Sequence, residues 1–202
     1  MGAGRELDQP PAQFRAAVEQ LRAVRLRPEI QLSEVPAPQR IAPFAAALGA
    51  DIVVDARDVG TGRLVLLHDP GGNDGWEGTY RCVSFVRAEV DPEMVRDPML
   101  SAVAWSWLSD AWQAHGLEVV APSGTVTVVL SEGFGNIARD SLTAQVEVRA
   151  SWTPAIVEHG HRPAPSLVDH VEAWGELLGA AAGLEPLPSG VVTLPRRHGA
   201  RG

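Results

Sequence analysis

Hydrophobic and polar positions along the chain repeat with two periods, and these divide it into helices and strands. Phe14, Ala17, Val18, Leu21 and Val24 recur at the i, i+3, i+4, i+7 spacing of one helical face, with Arg15, Glu19, Arg22 and Arg25 on the other. Pro10 and Pro11 suit the start of that helix and Pro28 ends it. Segment 29–39, with Pro36 and Pro38, reads as an extended connector holding a short edge strand at 30–32. Pro43, the alanine-rich run from Phe44 to Leu48, and Gly49 predict a short second helix. Apolar runs at 52–54 and 63–68, on either side of a turn region at 58–62, predict a hairpin; a loop at 69–75 and a third strand at 79–90 follow. Asp97 and Pro98 open a helix that runs to His115, where Gly116 stops it. Two strands come next, at about 118–130, interrupted near Pro122, and at 142–152. In the second, Ala144, Val146, Val148 and Ala150 alternate with Thr143, Gln145, Glu147 and Arg149, giving one core face and one water face. Ser166 and Asp169 approximate a capping box for a last helix with the stripe Leu167, Val171, Trp174 and Leu178, ending near Gly183.

The order α-(α)-β-β-β-α-β-β-α predicts an α+β fold, with an antiparallel sheet of about five strands and helices packed on it. Residues 10–185 read as one domain, 1–9 as a flexible N-terminus and 186–202 as a loosely ordered, Arg-containing tail. The order resembles that of type III secretion chaperones and YbjN-type proteins, non-enzymatic modules that generally dimerise and bind other polypeptides. That resemblance rests on element order alone.

Charge narrows the partners. The net charge is -8, and all 17 basic residues are Arg. Such a balance argues against a nucleic-acid-coating protein, whose affinity comes from cationic counterion release. Arg15, Arg22, Arg25 and Arg27, with Arg196, Arg197 and Arg201, are the positions that could meet phosphate, but Glu19 interrupts them and no aromatic platform accompanies them. The single Cys82 cannot form an internal disulfide and reads as a buried small hydrophobe. Together with the lack of a spanning apolar run or a leader pattern, it gives the expectation of a cytoplasmic protein without a membrane partner.

Three features carry candidate chemistry. On the central helix Trp105, Leu108 and Trp112 share one sector and Leu100, Val103, Trp107 and Ala111 the next, an apolar arc wider than one sheet face buries. Either the chain's own segments cover it or a partner does, which makes Trp105, Trp107 and Trp112 the candidate partner-binding residues. The run from His68 to Glu77 gathers a histidine, three acids and three glycines; as an enzyme site it would use His68, Asp69, Asp74 and Glu77. Its spacing fits no calcium loop, Walker pattern or dinucleotide fingerprint, and a β connection with turn glycines is the simpler reading. His159 and His161, two apart, are weak metal candidates that Asp169 or His170 would complete, against a reading as solvated loop histidines. No cofactor motif is present.

The stretches Pro28-Glu29-Ile30, Ala37 to Pro43, Gly62 to Gly78, Asp97 to Leu108, Arg149 to Pro154 and Ala180 to Pro188 resemble the family Domain of Unknown Function 3000 of high-GC Gram-positive bacteria. The resemblance implies one intact domain and an intracellular setting, with no activity, catalytic residue or ligand to carry over. The leading functional expectation is a non-enzymatic interaction, chaperone-like or regulatory module, a homodimer or a binder of another protein, in which the Trp-bearing helix and a sheet edge meet the partner. The alternative is a small metal-dependent hydrolase centred on the His68 to Glu77 loop, and the third an RNA-associated accessory protein.

Overall fold

A computed structural model describes residues 9–136, 142–155 and 166–186. Alternating or short continuous apolar runs form the strands: β1 (Ile30–Glu34), β2 (Phe44–Val54), β3 (Arg57–Asn73), β4 (Gly78–Val90), β5 (Val119–Glu132) and β6 (Leu142–Pro154). They form one antiparallel sheet in the order β1-β2-β3-β4-β6-β5. Three helices, α1 (Ala12–Ala23), α2 (Leu100–Ala114) and α3 (Val168–Ala181), cover one face, and a 3-10 turn at Met94–Arg96 precedes α2. The class is α+β as expected, with six strands where the pattern suggested about five. The order also departs by one strand from the chaperone-like one.

The sixth strand is β1, at the edge position read for 30–32, and β2 joins the expected strand at 52–54 to the alanine-rich run that predicted a short helix. Its residues alternate between two covered surfaces: Leu48, Ala50 and Ile52 join the main core, while Ala47 joins Val65 and Leu67 in a small second cluster against which Val35, Ala42 and Trp76 pack. Pairing with β1 on one side and β3 on the other satisfies its backbone along most of its length, and that tertiary gain overrides the helix propensity of alanine. The β2–β3 turn is also displaced from the expected 58–62. It falls at Asp55 and Ala56, both left-handed at φ 51° and 60°, the backbone of a two-residue primed hairpin turn. β3 then runs through most of the predicted loop as far as Asn73.

The helix enclosed most fully is α3, not α2. His170, Val171, Ala173, Trp174, Leu177, Leu178 and Ala181 are all buried. It sits so close to β3 that a Cβ on Gly62 would lie 2.5 Å from Leu178 Cδ2 and 2.9 Å from Trp174 Cζ2. The predicted capping box is absent. The Leu167 N–H instead donates to Gln20 Oε1 of α1 at 2.8 Å, so the end of α3 is capped across the fold. Asp97 does act at the start of α2, accepting the Met99 N–H at 2.8 Å. Residues 1–8 and 187–202, which hold most of the two predicted tails, lie outside the described residues.

Candidate functional site

Alternation along the strands decides where each candidate side chain goes. His68 is the last large core-facing residue of β3 and is fully buried. It stacks on Tyr80 with centroids 4.1 Å apart and lies near Phe14 and Phe44. Its Nδ1–H donates to the Thr79 carbonyl at 2.9 Å, leaving Nε2 buried without a partner, and burial holds its pKa below the usual histidine value. Asp69, one residue on, faces the opposite side of the sheet, where it accepts the Gly71 N–H at 3.0 Å. Asp74 and Glu77 belong to the exposed turn closed by Asn73 Oδ1 and the Gly75 N–H. The structure therefore separates His68 from Asp69, Asp74 and Glu77.

The Trp helix is covered largely from within the chain. Trp112 is 6% exposed and meets Trp152 edge-on at 5.2 Å, while Trp105 lies over Gly124 of β5. Trp107 lines a cavity of about 710 Å³ with Leu26, Arg27, Ala111, His115 and Leu184. What stays exposed is the outer side: Met99 at 59% and Val103 at 43%.

The one group of donors among the described residues that could share a metal is His115, Asp169 and Glu172, with ligand atoms within 4.8 Å of one another. His115 ends α2 and the two acids project from α3; Glu176, one turn further, holds His115 Nε2 at 2.9 Å. His159 and His161 lie outside the described residues. His170 points into the core instead, accepting the Trp152 indole N–H on Nδ1 at 3.2 Å, and burial pulls its pKa down to about 4. Cys82 is wholly buried, with a thiol pushed up to about 12, so it is a core residue and no nucleophile.

The candidate site lies on the face of the sheet without helices. Residues of β3, β4, β6 and β5 meet there in register: Arg63 opposite Phe85, Phe85 opposite Arg149, and Arg149 opposite Thr125. The neighbouring row holds Val65, Val83, Ser151 and Ser123. These residues line an open groove of about 560 Å³. The Arg149 guanidinium lies 5.1 Å from the Phe85 ring centroid and reaches Glu147 at 2.9 Å. Arg63 donates to the Pro36 carbonyl. At the end of the groove Arg81, 6% exposed, donates to Ser151 Oγ at 2.8 Å, Thr153 Oγ1 at 3.2 Å and Ser123 Oγ at 3.3 Å. Among the described residues neither Arg63 nor Arg81 has a carboxylate within ion-pair distance. Burial draws the Arg81 pKa down, with Glu77 acting against it, and the surrounding hydroxyls solvate its charge.

Of the arginines on and just beyond α1, Arg22 pairs with Glu19 and Glu34 and Arg27 with Glu29, while Arg15 and Arg25, like Arg63, donate to backbone carbonyls. Arg196, Arg197 and Arg201 lie outside the described residues. Alternation already placed Arg149 on the water side in sequence. The alignment of Arg63, Phe85 and Arg149 depends on strand register, which periodicity does not encode.

Compared with known families, residues 10–192 match a family model described as a protein of unknown function, DUF3000. The chain belongs to the DUF3000 family. Neither the comparison with curated proteins nor that with solved structures returned a match. Among the described residues of this DUF3000 chain, no helix is long and apolar enough to cross a membrane.

Proposed function

We propose that this DUF3000 protein is a non-catalytic binding module whose working surface is the bare sheet face, and that it takes an extended, acidic polypeptide segment. The observation that carries the reading is the row Arg63, Phe85, Arg149 across a groove floored by Val65 and Val83, with Arg63 and Arg81 lacking acidic partners among the described residues. Arginine and aromatic residues around a small apolar centre are the composition of protein-binding hot spots. β3 and β6 stand two strands apart, so Arg63 and Arg149 are separated by roughly 10 Å. Carboxylates three residues apart on an extended peptide span that distance, with the apolar residues between them beside Phe85 and the exposed Val83. A nucleic-acid strand suits the face less well, because the Phe85 ring already carries the Arg149 guanidinium and offers no free stacking platform.

The test is fluorescence anisotropy with three labelled probes: a peptide holding two Glu-Leu-Pro-Glu units, its lysine-for-glutamate counterpart, and an oligouridylate. The acidic peptide is expected to bind, more weakly as salt rises, and to lose about tenfold or more in affinity with Arg63→Ala or Arg149→Ala. Binding of the oligouridylate in preference to the peptide, or acidic-peptide binding untouched by both substitutions, would overturn the proposal.

A further inference from the structure

The sheet has two edges, and they are built differently. β1 is five residues long, runs into Pro36, and carries Glu34 bound to Arg22 of α1 at 2.9 and 3.0 Å. Those are the shortness, proline and charge that keep an edge from pairing with another chain. β5 spans fourteen residues. Its protecting devices, Pro122 and an irregularity between Val120 and Ser123, are confined to the N-terminal end. From Ser123 to Glu132 it pairs with β6 without a break, and from Ser123 to Ser131 it has no charged residue and no proline. An antiparallel partner engages the N–H and C=O groups of alternate residues only, so the other alternate set along β5 points away from the sheet.

The surroundings of this edge are apolar. Val129 and Leu130 on the strand, Phe134 beyond it and Leu142 opposite Glu132 are exposed, Phe134 at 74%. The 3-10 turn and α2 both pack against β5, and they present Met94, Met99 and Val103 to solvent. A foreign strand added here would satisfy the backbone but leave the methionines uncovered. A second copy brings the same uncharged stretch to the edge and its own α2 to the same side of the joint.

We infer that the partner of the β5 edge is a second copy of this chain, joined by antiparallel β5–β5 pairing about a two-fold axis at Val128. Symmetric antiparallel pairing places the axis perpendicular to the sheet, so each residue faces one on the same side and the axis passes a residue that meets itself. At Val128 the helix-covered side sets Val128 against Val128 and Val126 against Leu130. The bare side sets Thr127 against Val129 and Thr125 against Ser131. Nine residues pair over roughly 30 Å, and no like charges oppose within them, in a chain of net charge -8. Phe134 of each copy comes toward Pro122 of the other. The result is one twelve-stranded sheet with all helices on one side. This inference does not depend on the peptide-binding reading of the bare face.

Light scattering after size exclusion tests it. The wild type is expected at twice the 21.5 kDa chain mass at concentrations up to about 100 µM. Val128→Lys, which sets two ammonium groups opposite each other, is expected at one chain mass with unchanged circular dichroism and a still cooperative thermal unfolding whose midpoint no longer depends on protein concentration. Val128→Cys is expected to give an intermolecular crosslink with a short thiol reagent, since the native Cys82 is buried. A monomeric wild type, a dimer that survives Val128→Lys, or a dimer in which Val128→Cys does not crosslink would each overturn the inference.

Discussion

His170 accepts the Trp152 indole N–H on Nδ1, so the neutral ring keeps its proton on Nε2, and protonation at Nδ1 breaks that bond. With a folded pKa of about 4 against an ordinary histidine value of 6.5, the unfolded chain takes up the proton first as pH falls. The contribution is therefore fully present above pH 6.5 and lost progressively toward pH 4, by about 3 kcal/mol at most. His68 is shifted in the same direction by the same cause. Urea unfolding across that window is expected to show a shallower decline for His170→Gln than for the wild type, the glutamine oxygen still accepting from Trp152; parallel declines would mean His170 does not titrate in this way. Neither role is legible in the sequence, where both histidines adjoin an aspartate and suggest chemistry. In the fold they are separated from that neighbour: Asp69 lies on the other sheet face, and Asp169 turns toward His115. The dipeptide is local, whereas the burial that silences the histidine is tertiary.

At the level of elements, the patterns that survived are those with long, unambiguous periods: α1, β4, β6, and α2 with Asp97 at its head. The first half of β2 is obscured, its strand at 52–54 being legible, because alanine and a following glycine fit a helix and its cap as readily as a strand. Only pairing on both sides distinguishes the two. The β2–β3 turn was displaced because glycines at 60 and 62 mark it by sequence, yet their work is to admit other groups, Trp174 and Leu178 in the case of Gly62. The true turn uses Asp55 and Ala56, side chains held where glycine or asparagine is favoured. Left-handed alanine carries a strain of roughly 1 kcal/mol. The pair Asp55→Asn and Ala56→Gly is thus expected to raise stability by about 1 kcal/mol, read as a higher thermal midpoint, with an unchanged spectrum. A lower midpoint would show that the turn is held by contacts other than its own backbone preference.

For the whole molecule, the apolar arc on α2 was visible in the sequence, but its covering was not. β5 and α3 absorb most of it, leaving the Met99 and Val103 side beside a strand with no second neighbour among the described residues. Pairing about Val128 keeps sidedness, so two grooves lined by Arg63, Phe85 and Arg149 open on the same side of one continuous sheet. Each groove includes Ser123 and Thr125 of β5 itself, so the two lie close to the joint. A peptide with two acidic units then binds one groove and finds the second at an effective concentration set by its linker. A tandem probe with a flexible linker long enough to span the joint is expected to bind at least tenfold tighter than a single unit. Val128→Lys is expected to abolish that gain while leaving single-unit affinity unchanged. Equal affinities for the tandem and single probes on a verified dimer would place the grooves apart or on opposite sides, contrary to a two-fold axis perpendicular to the sheet. Loss of single-unit binding in Val128→Lys would instead place Val128 in the groove, although its side chain projects to the helix-covered side, as that of Val126 does.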